Sequence, residues 1–207
     1  MKILKVVIGL MVAILAFAGI GYFVMSDSVH MERSITINAS AEQIYSQLIS
    51  YKRFNEWSPW ARIDPGTQYE YSGPESGVGA KMVWTSDHPD VGNGGQEILE
   101  AVENQKIVNK MLFEGFSGDH TADVLLEEEG DATKVTWTYD AKNVTGIGRF
   151  MLMGIDKFLG PSYEQGLQSL KEMIESTEFE VEIHEPVEMD STSTAEGDSL
   201  EVLNEIE

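Results

Sequence analysis

Apolar and polar residues alternate along this chain with three different periods. Residues 3–25 are almost continuously apolar, interrupted only by Lys5. Residues 29–37 then alternate, with Val29, Met31, Ile35 and Ile37 on one side, and predict a strand. Ser40 with Gln43 three residues on is a capping box that predicts a helix start, and Ile44 and Leu48 fall on one face of that helix. A second short helix is predicted over 51–56, stopped by Ser58-Pro59. Six further runs, at 67–72, 80–86, 96–102, 107–113, 121–127 and 133–140, predict strands separated by turn residues. In the last of them Val135, Trp137 and Tyr139 face one way, and Lys134, Thr136, Thr138 and Asp140 the other. Such short connections favour antiparallel neighbours with one wet face. From Arg149 the period lengthens. Phe150, Met153, Phe158, Leu167, Leu170 and Ile174 mark a long amphipathic helix, which Gly160-Pro161 is expected to kink or split. After Thr177 the pattern fades: 179–183 suggest a short strand, and the Ser-, Thr- and Glu-rich remainder predicts disorder.

The chain thus divides into an apolar leader (1–27), an α+β domain (28–177) and an acidic tail (178–207). Within the domain, four stretches are distinctive: Glu56-Trp57-Ser58-Pro59-Trp60, Tyr71-Ser72-Gly73-Pro74, Gly77-Val78-Gly79 and the run from Gly160 to Lys171. With the element order strand, two helices, six strands and a long helix, these stretches resemble the SRPBCC superfamily. That helix-grip fold is shared by START domains, birch-pollen-allergen-like proteins and polyketide cyclases. The resemblance covers about residues 29–176. It implies a curved antiparallel sheet wrapped around the C-terminal helix, with an apolar cavity between them.

Charge narrows the partners. The net charge is −21, and residues 178–207 carry eleven acidic side chains with no Lys or Arg. Nucleic-acid affinity comes mainly from Lys and Arg displacing counterions, so a nucleic-acid partner is not expected. The absence of cysteine removes disulfides, thiolate zinc sites and a thiol nucleophile.

The leader is long enough to cross a bilayer, since roughly twenty apolar residues span a hydrocarbon core of ~30 Å. Lys2 and Lys5 would keep its N-terminus cytoplasmic and place the domain on the outer side, periplasmic or extracellular. The alternative is a signal peptide cleaved after Ala16-Phe17-Ala18, which would give a secreted domain.

Candidate chemistry is sparse. Trp57, Trp60, Trp84 and Trp137, with Tyr71, Phe113, Tyr139, Phe150 and Met153, either fill a core or line a ligand pocket. His120 shares a strand face with Ala122 and Val124, from which it could serve as an acid or base inside a cavity. Asp123 and Glu97 lie within strands and could also turn inward. No histidine has a partner at metal-ligand spacing, and the glycine turns at 77–79 and 92–95 lack phosphate-loop and dinucleotide signatures. No metal or cofactor is expected. The expected partners are a hydrophobic or amphipathic lipid-like small molecule and, through the leader, a lipid bilayer. Two other functions stay open: a cyclase, dehydratase or hydrolase working in the same cavity, and a scaffold that recruits a basic protein through the acidic tail.

Overall fold

The computed structural model of the protein describes residues 4–5, 7–12, 19 and 25–184. Most of the apolar leader, with its alternative cleavage site, and the tail beyond His184 lie outside the described residues. Among the described residues, no helix is long and apolar enough to cross a membrane.

Seven strands form one antiparallel sheet: β1 (Val29–Ile37), β2 (Gln68–Ser72), β3 (Lys81–Thr85), β4 (Gly94–Val102), β5 (Lys106–Phe113), β6 (Asp119–Glu129) and β7 (Ala132–Lys142). Their spatial order is β1-β7-β6-β5-β4-β3-β2, so the first strand closes on the last while the rest meander. Every strand predicted between residues 29 and 140 is present. β4 begins earlier than expected, because Gly94 and Gly95 belong to the ladder instead of the turn before it. Their lack of side chains is what admits them. Trp84 pairs with Gly94 across β3 and β4, and its indole lies where a Cβ on Gly94 would sit. A bulge at Ile98/Glu100 bends the sheet and sends Leu99 outward.

The helices are α1 (Ala41–Leu48), α2 (Tyr51–Trp57), α3 (Pro59–Ile63), α4 (Gly148–Leu152) and α5 (Ile155–His184). The capping box at Ser40 and Gln43 starts α1 as predicted. Ser58-Pro59, expected only to stop α2, also starts α3: proline at the first helical position has no amide to lose and a φ already suited to a helix.

Two other expectations are corrected. The C-terminal helical region breaks at Met153-Gly154 and not at Gly160-Pro161. The Phe158 ring lies over Gly154, where any Cβ would strike it, while Pro161 sits inside the second turn of α5 with little helix before it to displace. Residues 179–183 are also helical, since α5 runs on to His184. Alternation alone suggested a strand there, but continuing the helix satisfies each amide locally, and the intervening glutamates favour helix.

α5 lies along the β1–β7 side of the sheet and buries Tyr163, Leu167, Leu170 and Ile174 at helical spacing. Polar straps flank this apolar face. The Arg33 guanidinium crosses over Gly160, donating to Glu164 Oε1 at 2.7 Å and Asp156 Oδ1 at 2.8 Å. Further along, Lys171 Nζ donates to the Thr36 carbonyl at 2.7 Å, and the Asn38 amide donates to Glu175 Oε1 at 3.0 Å.

Alternation also settles the strand carboxylates. Asp123 lies between inward-facing Ala122 and Val124, and Glu97 between inward-facing Gln96 and Ile98, so both point to the outer face. Glu97 pairs with Lys81 at 3.2 Å. Asp123 Oδ1 is buried without a hydrogen-bond partner among the described residues, and loss of hydration pushes this carboxyl above the usual aspartate range, with Lys106 partly opposing the shift.

Two outcomes follow from this packing. Gly94→Ala should destabilise the domain by about 1–3 kcal/mol in chemical denaturation, because the new methyl meets Trp84 and comes within 2.6 Å of the rigid Leu112 carbonyl. Asp123→Asn should stabilise it by roughly 1 kcal/mol at pH 7. A raised folded-state pKa means that ionisation opposes folding. The gain should therefore be complete above the raised value and vanish as pH falls below the ordinary aspartate pKa, which denaturation at a series of pH values will read.

Candidate functional site

Where the sheet curls away from α5, a cavity of about 240 Å³ remains. Its floor is the inner face of the sheet: Met82 and Trp84 from β3, Gln96 from β4, Ile107, Asn109, Met111 and Phe113 from β5, Ala122 and Val124 from β6, and Trp137 and Tyr139 from β7. Leu159 and Tyr163 of α5 close one side. Residues of α1–α3, among them Tyr51, Phe54, Trp57 and Trp60, close another, and Asp90 and Val91 of the β3–β4 loop stand at the margin. At ~30 Å³ per water the space equals about eight waters. It lies just below the ~300 Å³ at which small-molecule sites usually begin.

One aromatic cluster forms the inner wall. Trp137 stacks on Tyr163 with centroids 4.0 Å apart, and the edges of Trp57 and Trp60 meet Trp137 at 5.5 and 6.0 Å. Gly166 permits this approach, since a Cβ there would lie 3.0 Å from Trp137 and 3.2 Å from Pro59. Core filling and cavity lining, two readings of these tryptophans in the sequence, are here the same job. Trp57 is 1% exposed and borders the cavity.

Polar groups are few, and most are already engaged. The Tyr51 hydroxyl donates to Asn109 Oδ1 at 2.9 Å, and Asn109 Nδ2 donates to the Ala122 carbonyl at 2.9 Å. Burial raises the Tyr51 hydroxyl far above its usual range and pushes that of Tyr139 up to about 12. His120 is buried on the inner side of β6 but stands behind the cavity wall, against the edge of Phe113. Its Nδ1 lies 2.8 Å from the Tyr139 hydroxyl and its Nε2 lies 3.3 Å from the Ser117 carbonyl. A carbonyl only accepts, so Nε2 carries the proton and Nδ1 accepts from Tyr139. The indole N–H of Trp57 is buried with no partner among the described residues. Among the described residues, no cationic side chain lines the space and Asp90 is its one acidic neighbour. Among the described residues, no group of three or more His, Asp or Glu stands ready to hold a metal ion.

Six of the ten residues picked from the sequence therefore meet in one place: Trp57, Trp60, Trp84, Phe113, Trp137 and Tyr139. The other four do not border the cavity. His120 is one layer behind it. Tyr71 is exposed beside a separate surface depression, where its hydroxyl accepts from Asn55. Phe150 and Met153 of the α4 region face outward. They were placed by helical period alone, which cannot anticipate that α4 is a separate helix. Several lining residues were missed. Asn109 and Gln96 had a signal, each being a polar residue on the apolar face of its strand. Tyr163 and Leu159 had one too, at helical spacing before Leu167, hidden by the expected break at Gly160-Pro161.

The fold is shared with solved structures of low sequence identity. A protein from Nitrosospira multiformis matches with a TM-score of 0.55 at 16% identity, over 73% of this chain and 99% of its own. One from Thermobifida fusca matches at 0.55 and 18% identity, over 72% and 95%. A norcoclaurine synthase mutant from Thalictrum flavum, solved with a transition-state analogue, matches at 0.54 and 13% identity, over 73% and 96%. No curated protein matches the chain. The family model described as polyketide cyclase / dehydrase and lipid transport matches residues 28–175, the whole sheet with the helices that grip it, and the chain belongs to that family.

Proposed function

We propose that this protein binds a small, uncharged, apolar molecule in the cavity between sheet and helix, and that residues 3–25 hold the domain at the outer face of a membrane. The observation that carries the binding reading is the lining: aromatic and aliphatic walls with no cation to receive a carboxylate or phosphate. An unpaired buried anion costs several kcal/mol, so a free acid is disfavoured. The size of the space suits a single ring system or one short chain, not a two-chain phospholipid. For the anchor, the support is the length of the apolar run and the lysines at its N-terminal end, Lys2 and Lys5.

Catalysis in the same cavity is the weaker reading. Proton abstraction near neutral pH needs a base that reaches the ligand. Tyr139 holds its proton up to about pH 12, His120, its hydrogen-bond partner, stands outside the wall, and Asp90, the carboxylate at the margin, is exposed to water. The pair is built to orient a hydroxyl, not to remove a proton.

Purified protein should take up an apolar fluorophore and release it to competitors. In a matched pair, a ten-carbon terpene alcohol should compete at least about 100-fold better than the corresponding acid at pH 8. Equal competition would overturn the uncharged-ligand reading. Ala122→Phe, which fills the floor, should weaken uptake about tenfold or more with the fold retained by circular dichroism, whereas Leu112→Phe on the outer face should leave it unchanged.

A further inference from the structure

The sheet's outer face is dotted with single apolar residues, but one surface region gathers several together. Ile147, Phe150 and Met151 of the α4 region, then Met153 and Phe158 at the α4–α5 junction, are all exposed, Met153 at 78% and Phe158 at 75%. Gly148 and Gly154 bring this surface together, the first beside the Phe116 ring and the second under that of Phe158. A folded protein seldom leaves such a contiguous patch to water without a partner.

The position of the patch identifies the partner. The Asp27 carbonyl accepts from the Val144 amide at 3.0 Å, just before α4, and Asp27 Oδ2 lies 3.8 Å from Arg149 within α4. The apolar leader ends at Met25, two residues earlier, which is at most roughly 7 Å of extended chain. Where the leader meets the domain is therefore fixed beside the patch, with no slack to carry the patch away. Leu4, Val7, Leu10 and Met11, among the described residues of the leader, are themselves exposed. The charges in the patch region, Arg149 and Lys157 against Asp27 and Asp156, balance and do not share the acidity of the rest of the chain, so a zwitterionic headgroup layer is not repelled there.

We propose that this α4–α5 face docks onto the same lipid surface that the leader enters. Phe150, Met153 and Phe158 sit at headgroup depth, in the manner of an interfacial amphipathic helix. Leu159, next to Phe158, lines the cavity, so docking brings the wall of the binding site against the bilayer and lets an apolar ligand pass between them with little exposure to water. This rests on the anchor proposed above.

The absence of cysteine makes the test direct. Full-length protein is reconstituted in phosphatidylcholine vesicles with an environment-sensitive fluorophore at Phe150→Cys, Met153→Cys or Phe158→Cys. A label at Val83→Cys, on the outer face of β3, is the comparison. Docking predicts blue-shifted emission, quenched by lipids spin-labelled near the headgroup, at the three patch positions and not at Val83. Adding Phe150→Ser and Met153→Ser to the Phe158→Cys protein should abolish that quenching while the leader stays inserted, which mere nearness to the anchor would not produce. Water-like emission at the patch in protein that resists alkaline extraction overturns docking and leaves the anchor standing, whereas release by alkaline extraction removes both. A blue shift without lipid quenching, with Met153→Cys chains crosslinking to each other, would give the patch to a second copy and overturns docking as well.

Discussion

The structure depends on where a nearly straight helix is allowed to touch a curved sheet. α5 can lie flush against only part of a seven-stranded wall that twists and bends, and it does so along β1 and β7. The stack of Trp137 on Tyr163, admitted by the missing side chain at Gly166, marks the place where that contact ends and the space begins. Beyond it the sheet continues through β6, β5, β4 and β3 with, among the described residues, no helix of comparable length above it. The short helices α1–α3 roof that part only at the edge. The cavity is therefore a geometric remainder of the fold, and its chemistry is whatever the inward residues of those strands supply.

Around this contact, polar and apolar effects divide the work. Burial of Leu167, Leu170 and Ile174 on α5 against Met31 and Ile37 on β1, among other core residues, supplies the bulk of the attraction, at ~25 cal/mol per Å² of apolar area. The straps from Arg33, Lys171 and Glu175 reach partly exposed partners, and such pairs contribute only ~0–1 kcal/mol each. Their value is directional. Arg33 bridges acids two helical turns apart, which sets the register of α5 along β1. Gly160, between those acids in sequence, leaves the guanidinium its path.

The cavity, the patch and the leader lie in sequence along one path. The leader reaches the domain at Asp27, beside α4, and α4 passes into the turn of α5 that carries Phe158 outward and Leu159 inward. A protein that takes an apolar molecule from a bilayer must shield it from water during transfer, and this arrangement leaves little distance over which shielding is needed. The neutral lining fits the same picture, because an uncharged molecule leaves a membrane interior without the desolvation penalty that a carboxylate meets in a dry pocket.

Much of this was legible from residue order. Period-2 alternation located all seven strands and sorted their residues onto two faces without saying which face is interior, and the capping box placed α1, because both signals are local consequences of backbone geometry. Membership of the family followed from short aromatic and glycine motifs at the right spacing. What tertiary structure alone decided was which inward residues stay uncovered. Trp57 and Trp137 border the cavity while Phe150 and Met153, on an equally periodic segment, face outward, because that depends on where α4 ends and how far the sheet curls. His120 is the clearest case. Strand alternation grouped it with Ala122 and Val124 on one face, yet only packing showed that this face is the inner one and, against Phe113 and Tyr139, set His120 one layer too deep to touch a ligand, since alternation specifies neither which face is interior nor depth.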